Sequence, residues 1–320
     1  MANTDTSVIP PGVANYYDRR LLRKAKPRLV HLLYAQTRDL PANNSDVIKF
    51  RRYSLLNAAT TPLTEGVTPS GSQLSKTDLS ATVKQYGDYI TLTDKLLFTT
   101  TDPVLKEAND VLAQQAGNTL DQLTRDVIMA GTTIQYASTA TDRDEVTSSM
   151  KISADEIKQA VRTLKQNNAD KITQMIDPSN GNNTSPVDAA YIAFVHPNTT
   201  YDLKGLTGFI RVEQYGQRKA LPGEIGALDE VRFIESTNAK VFTGEGDSGI
   251  DVYGTLVIGA DYYAQSRVSG EAMKNIIKPL GSAGSADPLD QRQTSGWKAT
   301  HAVTRLNEAF AVRIEHAVSA

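Results

Sequence analysis

At 320 residues and 34.8 kDa the chain exceeds the roughly 100–200 residues usual for one domain, so one elaborate domain or two modest ones are both open. Its 40% hydrophobic and 22% charged residues exclude wholesale disorder, and the absence of cysteine excludes disulfides, thiol nucleophiles and cysteine metal sites. Charge is more informative when split. Residues 1–52 carry ten basic side chains against four acidic ones, a net of +6, whereas residues 53–320 carry 24 against 32, a net of −8. A basic arm precedes an acidic body, a pattern that predicts contact with nucleic acid or with the body of another copy.

In chain order, the first fifteen residues are polar and lack the apolar stretch of a signal peptide. The longest apolar run, Ala189 to Val195, is far shorter than the ~20 residues that span a bilayer, so no membrane association is expected. From Tyr16 to Tyr34, apolar residues recur at three- and four-residue steps around Pro27, which predicts two short helical pieces. Alternation then predicts two long strands, one around Ile48 and Phe50 and one around Leu79, Ala81 and Val83. They flank a polar loop at 60–75. Such an arm has no continuous apolar face and is expected to lean on a neighbouring subunit.

Asp102-Pro103 opens the strongest helical pattern, with a single stripe from Val104 to Ala130 closed by Gly131. Gly117 lies in its middle, a place for a bend or a close neighbour. Ser153 and Glu156 predict a capping box, with Ile157, Ala160, Val161 and Leu164 as the inner face of a second helix. A loop at 177–187, a buried strand at Tyr191–Val195 and a short helix around Thr200–Leu206 follow. Beyond Gly208 the expectation is strands at Phe209–Tyr215, Val231–Ile234, Lys240–Thr243 and Asp251–Ile258, a flexible crossing at 281–291, and two strands within Trp297–Val318. The fold class is α+β.

No chemistry-bearing constellation emerges. Gly244 to Gly249 matches the dinucleotide pattern G-x-G-x-x-G, but a strand rather than a helix follows, so a hairpin turn is expected. The same segment contains Gly-Asp-Ser-Gly, yet none of His31, His196, His301 and His316 sits in a motif that would serve Ser248 as a base. A hydrolase built on Ser248 is therefore the weakest of the functional alternatives. The histidines are too scattered for metal spacing, and no catalytic residue, cofactor or metal is assigned.

Six blocks carry a resemblance: YYDRRLLRKAKPRLVHLLYAQ (16–36), RRYSLLNAATTPLTEGVTPSG (51–71), QYGDYITLTDKLL (85–97), LDQLTRDVIMAGT (120–132), VHPNTTYDL (195–203) and DPLDQRQTSGWKA (287–299). In order and over most of the chain they resemble the major capsid proteins of tailed phages typified by coliphage N-four. The resemblance implies the Hong Kong 97-type capsid fold, with an N-terminal arm at 1–45 and an extended β-hairpin loop at 46–97. A peripheral domain at 98–149 and 271–320 would contain the spine helix 103–130, with an axial domain at 150–270. It also implies hexamers and pentamers of the chain itself forming an icosahedral head around double-stranded DNA. Assembly would take place in the cytoplasm of a host bacterium, with a portal protein as partner and scaffold and decoration proteins as further ones. Residues expected at subunit contacts are Arg19, Arg20, Arg23 and Lys24 in the arm and Thr61, Pro62, Leu63, Glu65, Val67 and Pro69 in the loop. Nothing pairs Lys76 or Lys84 with an asparagine and a catalytic acid, so no covalent cross-link is expected. An encapsulin-like nanocompartment shell of the same fold is the alternative.

Overall fold

The computed structural model describes residues 29–40, 45–53, 56–63, 65–99, 103–176, 184–216, 219–268, 273–284 and 287–319. Arg19, Arg20, Arg23, Lys24 and the expected helix cap Asp102 lie outside the described residues. The chain runs through β1 (Gln36–Leu40), β2 (Val47–Tyr53), β3 (Lys76–Thr82), β4 (Lys84–Thr93), α1 (Asp94–Thr99), α2 (Val104–Met129), β5 (Ile134–Tyr136), α3 (Ala154–Gln166), β6 (Ile172–Ile176), β7 (Thr184–Val195) and α4 (Pro197–Lys204). It continues through β8 (Ile210–Arg211), β9 (Glu224–Leu228), β10 (Val231–Glu235), β11 (Val241–Phe242), β12 (Val252–Ile258), β13 (Tyr263–Val268), β14 (Lys274–Lys278), β15 (Arg292–Arg305) and β16 (Ala311–His316).

The strands form three sheets. The nine-stranded sheet has the order β5-β16-β12-β7-β10-β9-β8, with β11 beside β12 and β6 beside β7. Its alternation sorts the core into two layers, because successive side chains of a strand point to opposite faces. Tyr191, Ala193 and Val195 join Ile157, Ala160, Val161 and Leu164 of α3 and Leu203 of α4 on one face. Ile192 and Phe194 meet Ile128 and Met129 of α2, together with Leu33 and Tyr34, on the other. Each fully buried aliphatic side chain contributes roughly 1.5–3 kcal/mol.

The five-stranded sheet has the order β1-β13-β15-β14, with β4 along β15 in a ten-residue antiparallel register from Arg292↔Thr93 to His301↔Lys84. Leu112, Ala113, Ala116 and Leu120 of α2 pack on Trp297 and Ala299 of this sheet. At 1.5 Å per residue, the 26-residue α2 is about 39 Å long and reaches from one sheet to the other. It passes Gly117 without a break.

Side chains from elsewhere in the chain complete the α2 C-terminus, where orphan carbonyls need donors. Arg305 Nη1 donates to Val127 O at 2.8 Å and the Tyr262 hydroxyl to Ile128 O at 2.6 Å. Arg313 Nη1 donates to Met129 O and, at 3.3 Å, to Gly131 O. Arg313 also lies beside fully buried Glu315, its Nε 2.7 Å from Oε1 in a charge contact that lacks hydrogen-bond geometry. Arg143 supplies Glu315 with a bidentate pair at 2.7 and 2.9 Å.

Several expectations change. The hairpin β2–β3 rests on its own chain, since Ile48, Phe50 and Ala81 pack against Ala264 and Ala302. Of the expected arm helices residues 29–34 are described, and there 31–34 form a turn and no helix. There the His31 amide donates to Asp121 Oδ1 at 2.8 Å and the Tyr263 hydroxyl donates to His31 O, so α2 and β13 take the bonds a helix would use. Phe209–Tyr215 shrinks to the two-residue β8 followed by a 3-10 turn, in which Gln214 Oε1 accepts from the Arg211 amide. The short helix starts earlier, at Pro197, with His196 Nδ1 accepting from the Asn198 amide at 3.2 Å. Residues 184–187, expected as loop, begin β7. The capping box holds: Ser153 Oγ accepts from the Glu156 amide at 3.3 Å, and Glu156 Oε2 accepts from the Ser153 amide at 2.8 Å.

Candidate assembly surfaces

Each histidine among the described residues has a structural role. His31 Nδ1 is 2.9 Å from Asp121 Oδ2 in a buried pair, which Asn238 Nδ2 joins at 3.0 Å. The His301 ring nitrogen Nε2 lies 3.1 Å from Thr124 Oγ1, whose hydroxyl donates to Leu120 O, so Nε2 carries the proton. His316 Nδ1 lies 2.8 Å from Ala317 O, a pure acceptor, which puts the proton on Nδ1 and leaves Nε2 to accept from Thr255. Burial holds both His301 and His316 down at a pKa of about 4. Ser248 Oγ donates to its neighbour Asp247 at 3.2 Å, and among the described residues none of these histidine bonds reaches it. Among the described residues no three His, Asp or Glu side chains gather as a metal site would need. Gly244–Gly249 is the turn between antiparallel β11 and β12, with Gly244 at φ +68° and Gly249 at φ +76°, where a side chain would be strained.

The exposed surface is where this chain departs from an ordinary monomer. Every described residue from 56 to 75 is exposed, including Thr61, Pro62, Leu63, Glu65, Val67 and Pro69. Leu63 is 79% exposed and Val67 62%, with Leu56 and Leu74 also open. A Cβ added at Gly66 (φ +77°) would meet nothing within 4 Å, so the tip stands clear of the rest of the chain. Four large apolar side chains held in water along one loop mark a surface made to be covered.

Two charged features lie on the nine-stranded sheet. Asp142, Asp144 and Glu145 follow β5, and Glu245, Asp247 and Asp251 lie in the β11–β12 turn; all six are exposed. The Arg143–Glu245 ion pair and the bond from the Asp247 amide to Val146 O, 3.0 Å, join the two groups. A cleft of about 520 Å³ is lined by Lys151, Tyr201, Asp202, Lys204 and Arg211 among others. Three cations face one carboxylate, Asp202, which accepts from the amide and hydroxyl of Ser319, so the cleft is basic in character by excess. Sequence reasoning missed this cleft. Its residues span sixty positions, and the one local signal was an aromatic at Tyr201 outside the apolar stripe of α4.

The phage capsid protein family matches residues 76–314, most of the chain. The chain belongs to that family. A comparison with curated protein sequences finds no match. Among solved structures, the capsid of Ralstonia phage GP4 is similar with a TM-score of 0.70 at 12% identity, covering 90% of this chain and 88% of that one. The capsid of cyanophage P-SCSP1u has a TM-score of 0.64 at 12% identity over 89% and 87% of the two chains. For the capsid asymmetric unit of cyanophage Pam1 the values are 0.65, 13%, 92% and 92%. These likenesses show a shared α+β capsid fold. The phage capsid family is structural, and its members' place is the virion shell, in agreement with the resemblance carried by the six sequence blocks.

Proposed function

We propose that this phage capsid protein is the major capsid protein of a tailed phage and has the Hong Kong 97-type architecture. Its copies assemble into hexamers and pentamers, and these close into an icosahedral head around double-stranded DNA in the host cytoplasm. The observation that carries this reading is the solvent-held loop 56–75, an apolar-studded arm that its own chain leaves uncovered. Residues 1–45 act as the arm and 46–97 as the extended loop, whose return strand β4 is anchored along β15. The peripheral domain is 98–149 with 271–320, the axial domain 150–270. Strand β16 from the second peripheral segment pairs with β12, which ties the two domains through one sheet. The work of the molecule is association, not turnover; no enzymatic activity is assigned. Burial per subunit is of the obligate kind, above ~2,000 Å², with arm and loop contributing much of it. Arg19, Arg20, Arg23 and Lys24 meet acidic residues of an adjacent copy, while the portal, scaffold and decoration proteins and non-specific DNA contact complete the partners.

Negative-stain and cryo-electron microscopy of the expressed chain tests this. Icosahedral shells of hexamers and pentamers are expected, and a chain that stays monomeric would refute the proposal. Filled shells in lysates of producing cells distinguish a DNA-packaging head from a nanocompartment. Shell yield in R19E/R20E should fall if the arm docks on acidic neighbours, and an unchanged yield removes that role from the arm.

A further inference from the structure

We propose that the acidic turn of one copy seats in the basic cleft of the next, so that this charge pair sets the head-to-tail register of the capsomer ring. The inference rests on the self-assembly proposed above and names two surfaces that meet in it.

The two surfaces are complementary in sign and in build. The turn presents Asp142, Asp144, Glu145, Glu245, Asp247 and Asp251, and its nearest cation, Arg143, is already held by Glu315 and Glu245. The cleft presents exposed Lys151, Lys204 and Arg211 against a single lining carboxylate, Asp202, and Ser319 links Lys151 to it by accepting from Lys151 Nζ and donating to Asp202. Beside the cations, Tyr201 is 76% exposed and Ile210 51%, in a place where the fold leaves them no cover. That combination, an apolar centre with a charged rim, is how protein interfaces divide affinity from register.

Arg211 lies on β8, at the opposite edge of the nine-stranded sheet from β5, whereas Lys151 lies close to the acidic turn, bridged to Ala317 beside β12. Among the described residues no ion pair joins the turn's carboxylates to Lys151, Lys204 or Arg211, and the nearest arginine is taken by Glu315 and Glu245, which leaves these charges to a neighbouring copy. Two different, complementary surfaces on one chain generate a heterologous contact, and a heterologous contact whose rotation closes produces a ring. DNA is the other polyanion that could enter a basic cleft. The neighbouring copy is favoured because the cleft carries bare apolar groups beside its cations and the same chain supplies a matching acidic surface.

The test reverses each surface in the full-length chain. D144K/D247K and K204E/R211E should each lower the yield of closed shells by about tenfold or more at low salt, the scale of like-charge juxtaposition at an interface. The four-residue variant, in which both signs are exchanged, should recover most of the yield. A single-surface variant that assembles at the wild-type level overturns the inference, as does a four-residue variant no better than the singles. Normal shells that package less DNA in K204E/R211E also overturn it, in favour of a nucleic-acid contact. Subunit melting curves check folding. Should a reversal disturb them, D247C/K204C offers a second route in a chain that has no cysteine of its own. Oxidised shells of that variant should yield a ladder of linked copies, and monomer alone counts against the contact. Wild-type chain that forms no shells defeats the proposed function itself, whereas wild-type shells with indifferent variants defeat only this inference.

Discussion

Acidification should loosen this fold through two histidines that are buried in their neutral forms. His316 is 0% exposed and His301 9%, and burial depresses each pKa to about 4; for His316 the bond to Ala317 O and the nearby Asp202 and Glu315 offset this only in part. In the unfolded chain both return to a pKa near 6.5. Above that value neither state binds the proton, and the full stability is present. Between pH 6.5 and about 4 the unfolded state binds protons that the folded state refuses, so stability falls with pH by ~1.4 kcal/mol per unit for each histidine. Over the whole window this amounts to about 3 kcal/mol per group, against a total of roughly 5–15 kcal/mol for a typical domain. His301→Gln isolates one of the two. Its side-chain amide can donate to Thr124 Oγ1 as Nε2–H does, but it does not titrate. Urea unfolding of the full-length chain at a series of pH values should show H301Q losing stability less steeply than wild type by ~1.4 kcal/mol per pH unit. A misfit of glutamine shifts the whole curve and leaves that slope difference intact. Parallel curves for the two proteins between pH 6 and 4.5 would refute the reasoning.

Substitutions at two positions probe the junctions that hold the nine-stranded sheet to α2 and strand β4 to β15. Arg313→Met removes the donor to the Met129 and Gly131 carbonyls and one of the two arginines beside Glu315, and should destabilise the chain by about 3 kcal/mol or more. Arg313→Lys should lie between it and wild type in denaturant midpoint, because it keeps the charge without the fork. Gly296→Ala places a Cβ 2.7 Å from Tyr89 Cβ and 2.8 Å from Asp88 O, which forces β4 away from β15. A loss of about 1–3 kcal/mol is expected from the same melts, and an unchanged midpoint would show that the two strands can separate freely there.

Local features were legible wherever one-sided burial writes a period into the chain. The helical span of α2, the capping box of Ser153 and Glu156, and the alternation of Ile48 and Phe50 against exposed Lys49 and Arg51 appear in the structure as they read in the sequence, although Val111 of the α2 stripe is exposed and Asp121 and Thr124 join its buried face. The glycine-rich turn before β12 was readable from its glycines and the β-branched residues after it, although every residue of β12 is buried. Other elements left no such trace. Strands β9, β13 and β14 are short; β13 takes its partners β1 and β15 from well along the chain, whereas β9 and β14 pair with the strand that follows each, too brief to write a period. The hairpin β2–β3 looked too sparse in apolar residues to stand alone, because the alanines that cover it, Ala264 and Ala302, belong to segments more than 150 residues away.

By itself the sequence determined the α+β class, the long helix, the exposed loop and, through its specific blocks, the family. Those are properties of neighbouring residues and of segments compared whole. Tertiary structure alone decided what each isolated ionisable group does. His31 meets Asp121 across 90 positions and His301 meets Thr124 across 177, and both are thereby absorbed into the core. Lys151, Lys204 and Arg211 become a single basic cleft only when the strands that carry or border them are laid side by side. The physical reason is that periodicity is written within a few residues, whereas charge convergence depends on which strands the topology makes neighbours. The net −2 of the chain conceals a basic arm, an acidic body and, within that body, two surfaces of opposite charge that the fold gathers from separate segments.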